Sequence, residues 1–278
     1  MVIAFMSTQV IDIEVFASDM KSVVLTPAAS ESTPKKPRVL FFHGQYTNPE
    51  IAFYLLRLTG FTKVFDFVIP RALYDDIPCP DNLRDSVGLA PLIRKGIYDF
   101  NDTFFSWGAR WDLTSAKPCN IPTEISARYL HDNIRYIKSL VKQHGPFDGI
   151  MGMCEGGTTL QAVMFEQAAG RTNAIDEIKF HIHLAAWTSG LSRPQMLDIP
   201  TLAIGGRNDL RDFQEAFKIY KNNFSGYYAE FMHNGGHNYP RVTRALKDEI
   251  QKLLAAAHTS STPLPSLDPS SHRRLQTA

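Results

Sequence analysis

The chain has 278 residues, of which 44% are hydrophobic, enough apolar material for one large core. Lysine and arginine total 29 against 28 aspartate and glutamate, so the formal net charge is +1. This balance, with no long run of either sign, argues against a phosphate-binding surface, and we predict no nucleic-acid partner.

Residues 1–36 read as an N-terminal extension before the first convincing core strand at 39–43. Within this extension, residues 9–16 alternate apolar and polar side chains, the period of a half-buried strand. They predict an edge strand. Residues 26–37 are rich in serine and proline and are typical of a loop that leads into the core.

Strands and helices alternate between residues 37 and 256, and this range is the predicted domain. Alternation of this kind predicts an α/β fold, a mostly parallel central sheet flanked by helices on both faces. The predicted strands are 39–43, 64–69, 147–151, 181–185, 201–204 and 227–232. The predicted helices are 49–58, one ending before Gly145, one beginning near 157, one carrying Phe213 and Phe217, and a last one opening with Pro240.

Two segments do not follow the alternation. Residues 71–121 hold about fifty positions where a connector of about six is usual, so they predict a lid insertion with structure of its own. Its aromatic residues, including Trp107 and Trp111, either anchor the lid to the core or contact substrate. Residues 257–278 are rich in serine, proline and threonine and predict a disordered tail.

The three cysteines, at positions 79, 119 and 154, form neither an even set nor a C-x-x-C pair. This pattern favours a reducing compartment without structural disulfides. No stretch reaches the roughly 18 to 20 apolar residues of a membrane helix, and no basic n-region of a signal peptide precedes the apolar start. We therefore expect no membrane span and a cytoplasmic location. Nothing in the sequence indicates an oligomeric state.

The segment Gly152-Met153-Cys154-Glu155-Gly156 has the form of a nucleophile elbow, with a thiol at its centre. A predicted buried strand precedes it and a predicted helix follows, which is the context that this motif requires. An inert buried cysteine is the alternative. The sequence favours Cys154 as a nucleophile raised above the end of the sheet.

A nucleophilic thiol needs a base, a group that orients the base, and donors for the oxyanion. Asp209 and His237 each follow a predicted strand, in the nucleophile–acid–histidine order of α/β-hydrolases. Asp212 and His233 are rival candidates, and Asp209 could instead cap a helix. We expect no metal site at His233 and His237, because glycines interrupt the helix that would align them.

The predicted oxyanion donors are the backbone N–H groups of Gln45 and Glu155. A carboxylate beside the thiol would disfavour the thiolate, so we expect the Glu155 side chain to turn away or to meet a cation. Tyr46, Trp107 and Trp111 are the predicted pocket residues.

With these residues in place, the chain resembles the FSH-type serine hydrolase family, α/β-hydrolases related to the ovarian-cancer-associated gene 2 protein. The similarity rests on residues 39–45, 145–152 and 233–240. It implies an α/β-hydrolase fold, Cys154 in place of the family's serine, Asp209 as the acid and His237 as the base. It also implies carboxylesterase or thioesterase activity without a metal or organic cofactor.

We therefore predict an enzyme that cleaves a small-molecule or acyl-chain ester or thioester through an acyl-cysteine intermediate. The Gly-x-Cys-x-Gly-Gly elbow is also similar to that of dienelactone hydrolases, so lactone cleavage is an alternative. Two others are an acyltransferase and a catalytically weak protein of the same fold that binds a small ligand.

Overall fold

The protein is described here from a computed structural model covering residues 13–15, 23–25, 35–75, 104–108, 111–112, 117–118, 123–187, 194–209, 214–215 and 220–259. Its centre is a six-stranded parallel sheet. The strands are β1 (Arg38–Phe42), β2 (Asp66–Val68), β3 (Gly149–Met153), β4 (Phe180–Leu184), β5 (Thr201–Gly206) and β6 (Tyr228–His233), in the order β6-β5-β4-β3-β1-β2. The predicted parallel sheet is confirmed.

Helices cover both faces of this sheet. They are α1 (Pro49–Thr59), α2 (Thr123–His144), α3 (Glu155–Ala168) and α4 (Arg244–Thr259), with 3₁₀ turns at Phe61–Lys63 and Lys221–Asn223. Alternate residues of β1 enter two separate cores, because successive side chains of a strand point to opposite faces. Leu40 and Phe42 pack with the α2 and α3 side chains, whereas Val39 and Phe41 pack with those of α1 and α4.

The strand order reverses between β1 and β3. From β1 the chain moves outward to β2, then returns to the other side of β1 and continues through β3, β4, β5 and β6. A crevice opens at the carboxyl ends of the strands at such a switch point, and ligands of open α/β sheets bind there. The loops after β1 and β3 both begin at this crevice.

The last helix begins later than predicted. Residues 241–243 are not helical, and α4 starts at Arg244, so the prediction that Pro240 opens it is wrong. Val242 N–H instead donates to the Thr59 carbonyl, which holds this segment against the end of α1. The Thr243 hydroxyl then accepts the Leu246 N–H, as an N-cap does. At its other end α4 continues to Thr259. Residues 257–259 are therefore helical, whereas the sequence predicts that the disordered tail begins at residue 257.

Short two-stranded pairs lie outside the central sheet. Ile13–Val15 pairs antiparallel with Val23–Leu25. The strand expected within residues 9–16 therefore forms a separate two-stranded sheet and does not extend the edge of the central sheet. Tyr74–Asp75 pairs with Phe105–Ser106, and Trp111–Asp112 pairs with Lys117–Pro118. Most of the lid predicted at 71–121, the helix predicted around Phe213, and residues 260–278 lie outside the described residues. Within the described residues, no helix is long and apolar enough to cross a membrane.

Candidate active site

Cys154 sits on a sharp turn between β3 and α3. Its backbone has φ 53° and ψ −122°, a region that non-glycine residues seldom adopt. The Cys154 N–H donates to the Leu184 carbonyl at 2.9 Å, and its own carbonyl accepts the Thr158 N–H of the first helical turn at 3.0 Å. These bonds hold the strained residue at the carboxyl end of β3, where its partly exposed thiol is not in a disulfide. This is the geometry of a nucleophile elbow.

Glycines allow the elbow to pack this tightly. A Cβ on Gly152 would lie only 2.5 Å from the Gly157 Cα, and one on Gly156 would meet the backbone carbonyls of Phe42 and His43. Strand β3, helix α3 and the end of β1 therefore approach one another with no side chain between them. The Gly-x-Cys-x-Gly-Gly pattern is needed for this packing as well as for the turn.

The loop after β1 lies directly against Cys154. A Cβ added to Gly44 would be 3.2 Å from the Cys154 Cβ, so Gln45 follows a residue that is in contact with the elbow. Thr47 fixes the loop from within, because its hydroxyl donates to the Gly44 carbonyl at 2.8 Å. The two predicted oxyanion donors, Gln45 N–H and Glu155 N–H, thus belong to segments that flank Cys154.

His43 supports this loop, and its ring is neutral near neutral pH. Its ring is fully buried, and burial lowers its pKa to about 4 although the hydrogen bond with the Gly44 carbonyl opposes this shift. The neutral ring places Nδ1 2.9 Å from that carbonyl and 3.1 Å from the Thr47 hydroxyl. His43 is therefore a structural residue beneath the loop.

Asp209 and His237 meet between the loops after β5 and β6. Nδ1 of His237 lies 3.2 and 3.1 Å from the two carboxylate oxygens of Asp209, whose side chain is only 3% exposed. The two loops are joined by backbone bonds: Arg207 N–H donates to His233 O, and Asn208 N–H donates to Gly235 O. This pairing continues the parallel register of β5 and β6 beyond the sheet.

The His237 ring also lies within electrostatic range of Cys154. Burial alone would lower the His237 pKa, but the charge of the Cys154 sulfur and hydrogen bonds with Asp209 and Cys154 raise it to about 10. An imidazole with such a pKa is an imidazolium near neutral pH. His237 therefore interacts with the Asp209 carboxylate and with Cys154.

The rival candidates are arranged differently. Nδ1 of His233 accepts the Gly235 N–H at 3.0 Å, so this ring is folded against its own loop. Burial lowers the His233 pKa, although nearby Asp209 opposes the shift. Asp212 lies outside the described residues. Among the residues that the structure describes, no group of three or more His, Cys, Asp or Glu side chains could hold a metal ion.

His181 and His183 of β4 belong to the core. Both are fully buried, and the His183 ring stacks on Tyr220 with centroids 3.9 Å apart. Burial lowers the pKa of both rings, that of His183 to about 4. They are on the sheet face opposite Ile182 and Leu184, which pack with α4.

The structure describes the three predicted pocket residues to different extents. Tyr46 lies in the turn after β1 with a positive φ of 57°. Trp107 is fully buried, and its indole N–H donates to the His43 carbonyl at 2.9 Å. Of the two roles that the sequence allows for this residue, anchoring and substrate contact, these contacts fit anchoring. The side chain of Trp111 lies outside the description.

Two further residues near the site were not candidates from the sequence. Ser106 donates a hydrogen bond to the Glu155 carboxylate at 2.5 Å, so this carboxylate turns toward a hydroxyl. Tyr239 packs against the same core as Cys154, and burial together with the sulfur's charge raises its pKa. Ser106 has no motif, because it is 49 positions from Glu155. Tyr239 lies within the segment 233–240 that carries the family resemblance, but that resemblance assigns it no role.

Residues 31–248 match the family model described as serine hydrolase (FSH1), which covers well over half of the chain. The chain belongs to this family. The predicted family is thereby confirmed, and with it the assignment of the chain as a hydrolase. No curated protein sequence matches the chain.

Solved structures show the fold of this FSH1 family member independently. An acyl-protein thioesterase 2 from Zea mays has a TM-score of 0.50 and 15% identity, covering 82% of this chain and 96% of that one. A carboxylesterase from Mesorhizobium loti has a TM-score of 0.53 and 13% identity, and the match covers 85% of this chain and 94% of that one. At these identities the likeness concerns the fold, and it confirms the predicted α/β-hydrolase architecture.

Proposed function

We propose that this FSH1 family member hydrolyses a carboxylic ester or thioester of a small or acyl-chain substrate through an acyl-cysteine intermediate. Cys154 is the nucleophile in place of the family's serine, His237 is the base and Asp209 orients it. The observation that carries the proposal is the distance of 3.1 Å between His237 Nδ1 and the Asp209 carboxylate, in a ring whose pKa the nearby Cys154 sulfur raises.

The reaction begins with the Cys154 thiolate attacking the carbonyl carbon of the substrate. The carbonyl electron pair moves to oxygen, and the Gln45 and Glu155 N–H groups stabilise the resulting oxyanion. When the tetrahedral adduct collapses, the bond to the leaving group breaks and the His237 imidazolium supplies its proton. The products of this half-reaction are the free alcohol or thiol and an acyl-cysteine thioester.

Water completes the cycle. The now neutral His237 takes a proton from a water molecule, whose oxygen attacks the thioester carbonyl. A second tetrahedral adduct collapses with release of the carboxylic acid and of the thiolate, and the imidazolium is restored. Asp209 holds His237 with Nδ1 toward the carboxylate through both steps, so Nε2 faces the sulfur.

The thiol limits the substrates. A thiolate is a better nucleophile than a hydroxyl group but also a better leaving group. The first tetrahedral adduct therefore tends to expel sulfur again unless the substrate's own leaving group departs readily. Thioesters, lactones and activated esters are therefore better substrates than amides. Tyr46 and Trp111 remain proposed pocket residues, and residues 71–121 remain a proposed lid over the crevice.

A substrate series tests this proposal. Turnover of p-nitrophenyl esters and acyl thioesters of increasing chain length is measured for the wild type and for Cys154→Ala, with and without added alcohol or amine acceptors. We expect the wild type to release carboxylic acid and Cys154→Ala to lose turnover. Full turnover in Cys154→Ala would refute the mechanism, and product formed only with an acceptor would assign acyl transfer in place of hydrolysis.

A further inference from the structure

Residues 104–108, called here the strap, contact the loop after β1 on both sides of Gln45. The Trp107 indole N–H donates to the His43 carbonyl at 2.9 Å. The Phe105 N–H donates to the Thr47 carbonyl at 3.2 Å. The strap therefore holds the loop at two points that flank the proposed oxyanion donor.

The strap also contacts the elbow, through a side chain. The Ser106 hydroxyl donates to Oε1 of Glu155 at 2.5 Å, and its oxygen accepts the Gly108 N–H at 3.0 Å. Because that N–H occupies a lone pair of the Ser106 oxygen, the hydroxyl proton is free to point at the carboxylate. Both side chains are fully buried, where a hydrogen bond is stronger than in water.

The strap itself is fixed to the rest of the fold. Asn133 of α2 donates to the Trp107 carbonyl at 2.6 Å, and the Trp107 ring packs on Phe42 with centroids 4.4 Å apart. The Arg71 guanidinium lies over the Phe105 ring, 4.7 Å from its centroid. A segment anchored in this way can transmit position from the core to the two loops.

From these contacts we infer that Ser106 and the Glu155 carboxylate form a positioning pair that sets the distance between the Gln45 and Glu155 N–H groups. This inference rests on the proposed function, since those two groups are its oxyanion donors. The strap joins the loop after β1 through the Trp107 indole and the Phe105 N–H, and it joins the elbow through the Ser106 hydroxyl. The hydroxyl is therefore the link between the strap and the second donor. The carboxylate after the nucleophile is thus a tether, and it need not take part in proton transfer.

The test separates oxyanion binding from thiol reactivity. A trifluoromethyl ketone adds to a thiolate and gives a tetrahedral adduct with an oxyanion, whereas iodoacetamide alkylates the thiol without forming one. For Ser106→Ala we expect the affinity for the ketone to fall about tenfold. This loss is smaller than the roughly 10²–10³-fold effect of removing an oxyanion donor outright. The rate of alkylation should stay within about twofold of the wild-type rate. Ser106→Thr, which retains the hydroxyl, should restore most of the affinity.

Two further variants sharpen the result. Ser139→Ala removes a hydroxyl that donates to the Tyr136 carbonyl within α2 and should leave both measurements unchanged. In a Glu155→Leu background, Ser106→Ala should cause little additional loss, because the tether is already broken. Unchanged ketone affinity in Ser106→Ala, an equal loss of alkylation, or additive losses in the double variant would overturn the inference.

The same measurements distinguish this inference from the proposed function. If the wild type forms the ketone adduct with the expected dependence on Ser106 but turns over no ester or thioester, the hydrolytic function is wrong and the positioning pair stands. If turnover is present and ketone affinity does not depend on Ser106, the positioning pair is wrong and the hydrolytic function stands. A wild type that forms no adduct contradicts both.

Discussion

Nδ1 of His237 lies 3.1 Å from Oδ2 of Asp209, although 28 positions separate these residues in the sequence. The parallel pairing of β5 with β6 brings their loops together, and bonds from residues 207 and 208 extend that pairing to the histidine loop. Asp209 and His237 are therefore positioned by backbone structure. In the proposed mechanism, Nε2 of His237 serves the Cys154 sulfur.

Asp209→Asn is expected to lower turnover by on the order of 10²-fold or more. The amide can present its N–H₂ to the ring and favour the wrong tautomer, and it no longer stabilises the imidazolium. NMR titration should show a lower His237 pKa in the variant. Asp248→Asn, on the exposed face of α4, is the matched control and should change neither quantity. An unchanged His237 pKa in Asp209→Asn would contradict the pairing.

The contribution of His237 to stability should depend on pH with a definite sign. Its pKa is about 10 in the folded protein against an ordinary 6.5, so between these values the folded state holds a proton that the unfolded state has lost. The contribution is complete below about pH 6.5 and disappears as the pH rises through 10. Urea titrations give the difference between the free energies of unfolding of the wild type and of His237→Gln. This difference should be largest below about pH 6.5 and should decrease as the pH rises to 10.

A matched comparison uses His131→Gln, since His131 is a largely exposed residue of α2. Its difference from the wild type should stay small at every pH. A His237→Gln difference that grew from pH 7 to pH 10 would have the wrong sign for a raised pKa.

Removing the sulfur should lower the His237 pKa. The charge of Cys154 is the main effect that raises this pKa against burial, so Cys154→Ala leaves only Asp209 to oppose the desolvation of the ring. NMR titration of the imidazole in Cys154→Ala is the measurement. A His237 pKa that stayed at the wild-type value would place the sulfur outside the range of interaction.

Gly206→Ala should separate the acid loop from the histidine loop. A Cβ at this position would meet the backbone carbonyls of Gly235 and Gly236, which cannot rotate away as a side chain can. We expect a loss of stability of about 1–3 kcal/mol, typical of overpacking, and a loss of turnover in the molecules that remain folded. Thermal unfolding and turnover per folded molecule measure the two effects; wild-type turnover in the variant would show that the loops do not depend on this contact.

Cys154→Ser should change the selectivity among esters. An oxygen nucleophile is expelled from the tetrahedral adduct less readily than sulfur, so the serine variant should depend less steeply on the leaving group. The ratio of turnover on p-nitrophenyl esters to that on simple alkyl esters of the same acid is the measurement. A serine variant with the same ratio as the wild type would contradict the thiol's role in selectivity.

The pattern of the sequence predicted the parallel sheet because each core strand is an apolar run bounded by turn residues, and the helices between them have clear faces. The elbow was recognisable since its glycines and its place after a strand are local features. The start of α4 was predicted wrongly at Pro240, because a proline is equally suited to the segment before a helix, and a distant partner, the Thr59 carbonyl, keeps residue 242 outside it. The pairing of Ser106 with Glu155 is entirely tertiary, so no local pattern could indicate it.

The most direct test of the account is the identity of the residue that carries the acyl group. The wild type is mixed with an activated acyl ester, quenched in acid within the first turnover, digested and analysed by mass spectrometry, with Cys154→Ala treated in parallel. The account predicts one acyl group on the peptide containing Cys154 and none in the variant. An acyl group on another residue, or turnover in the variant at the wild-type rate, would contradict it.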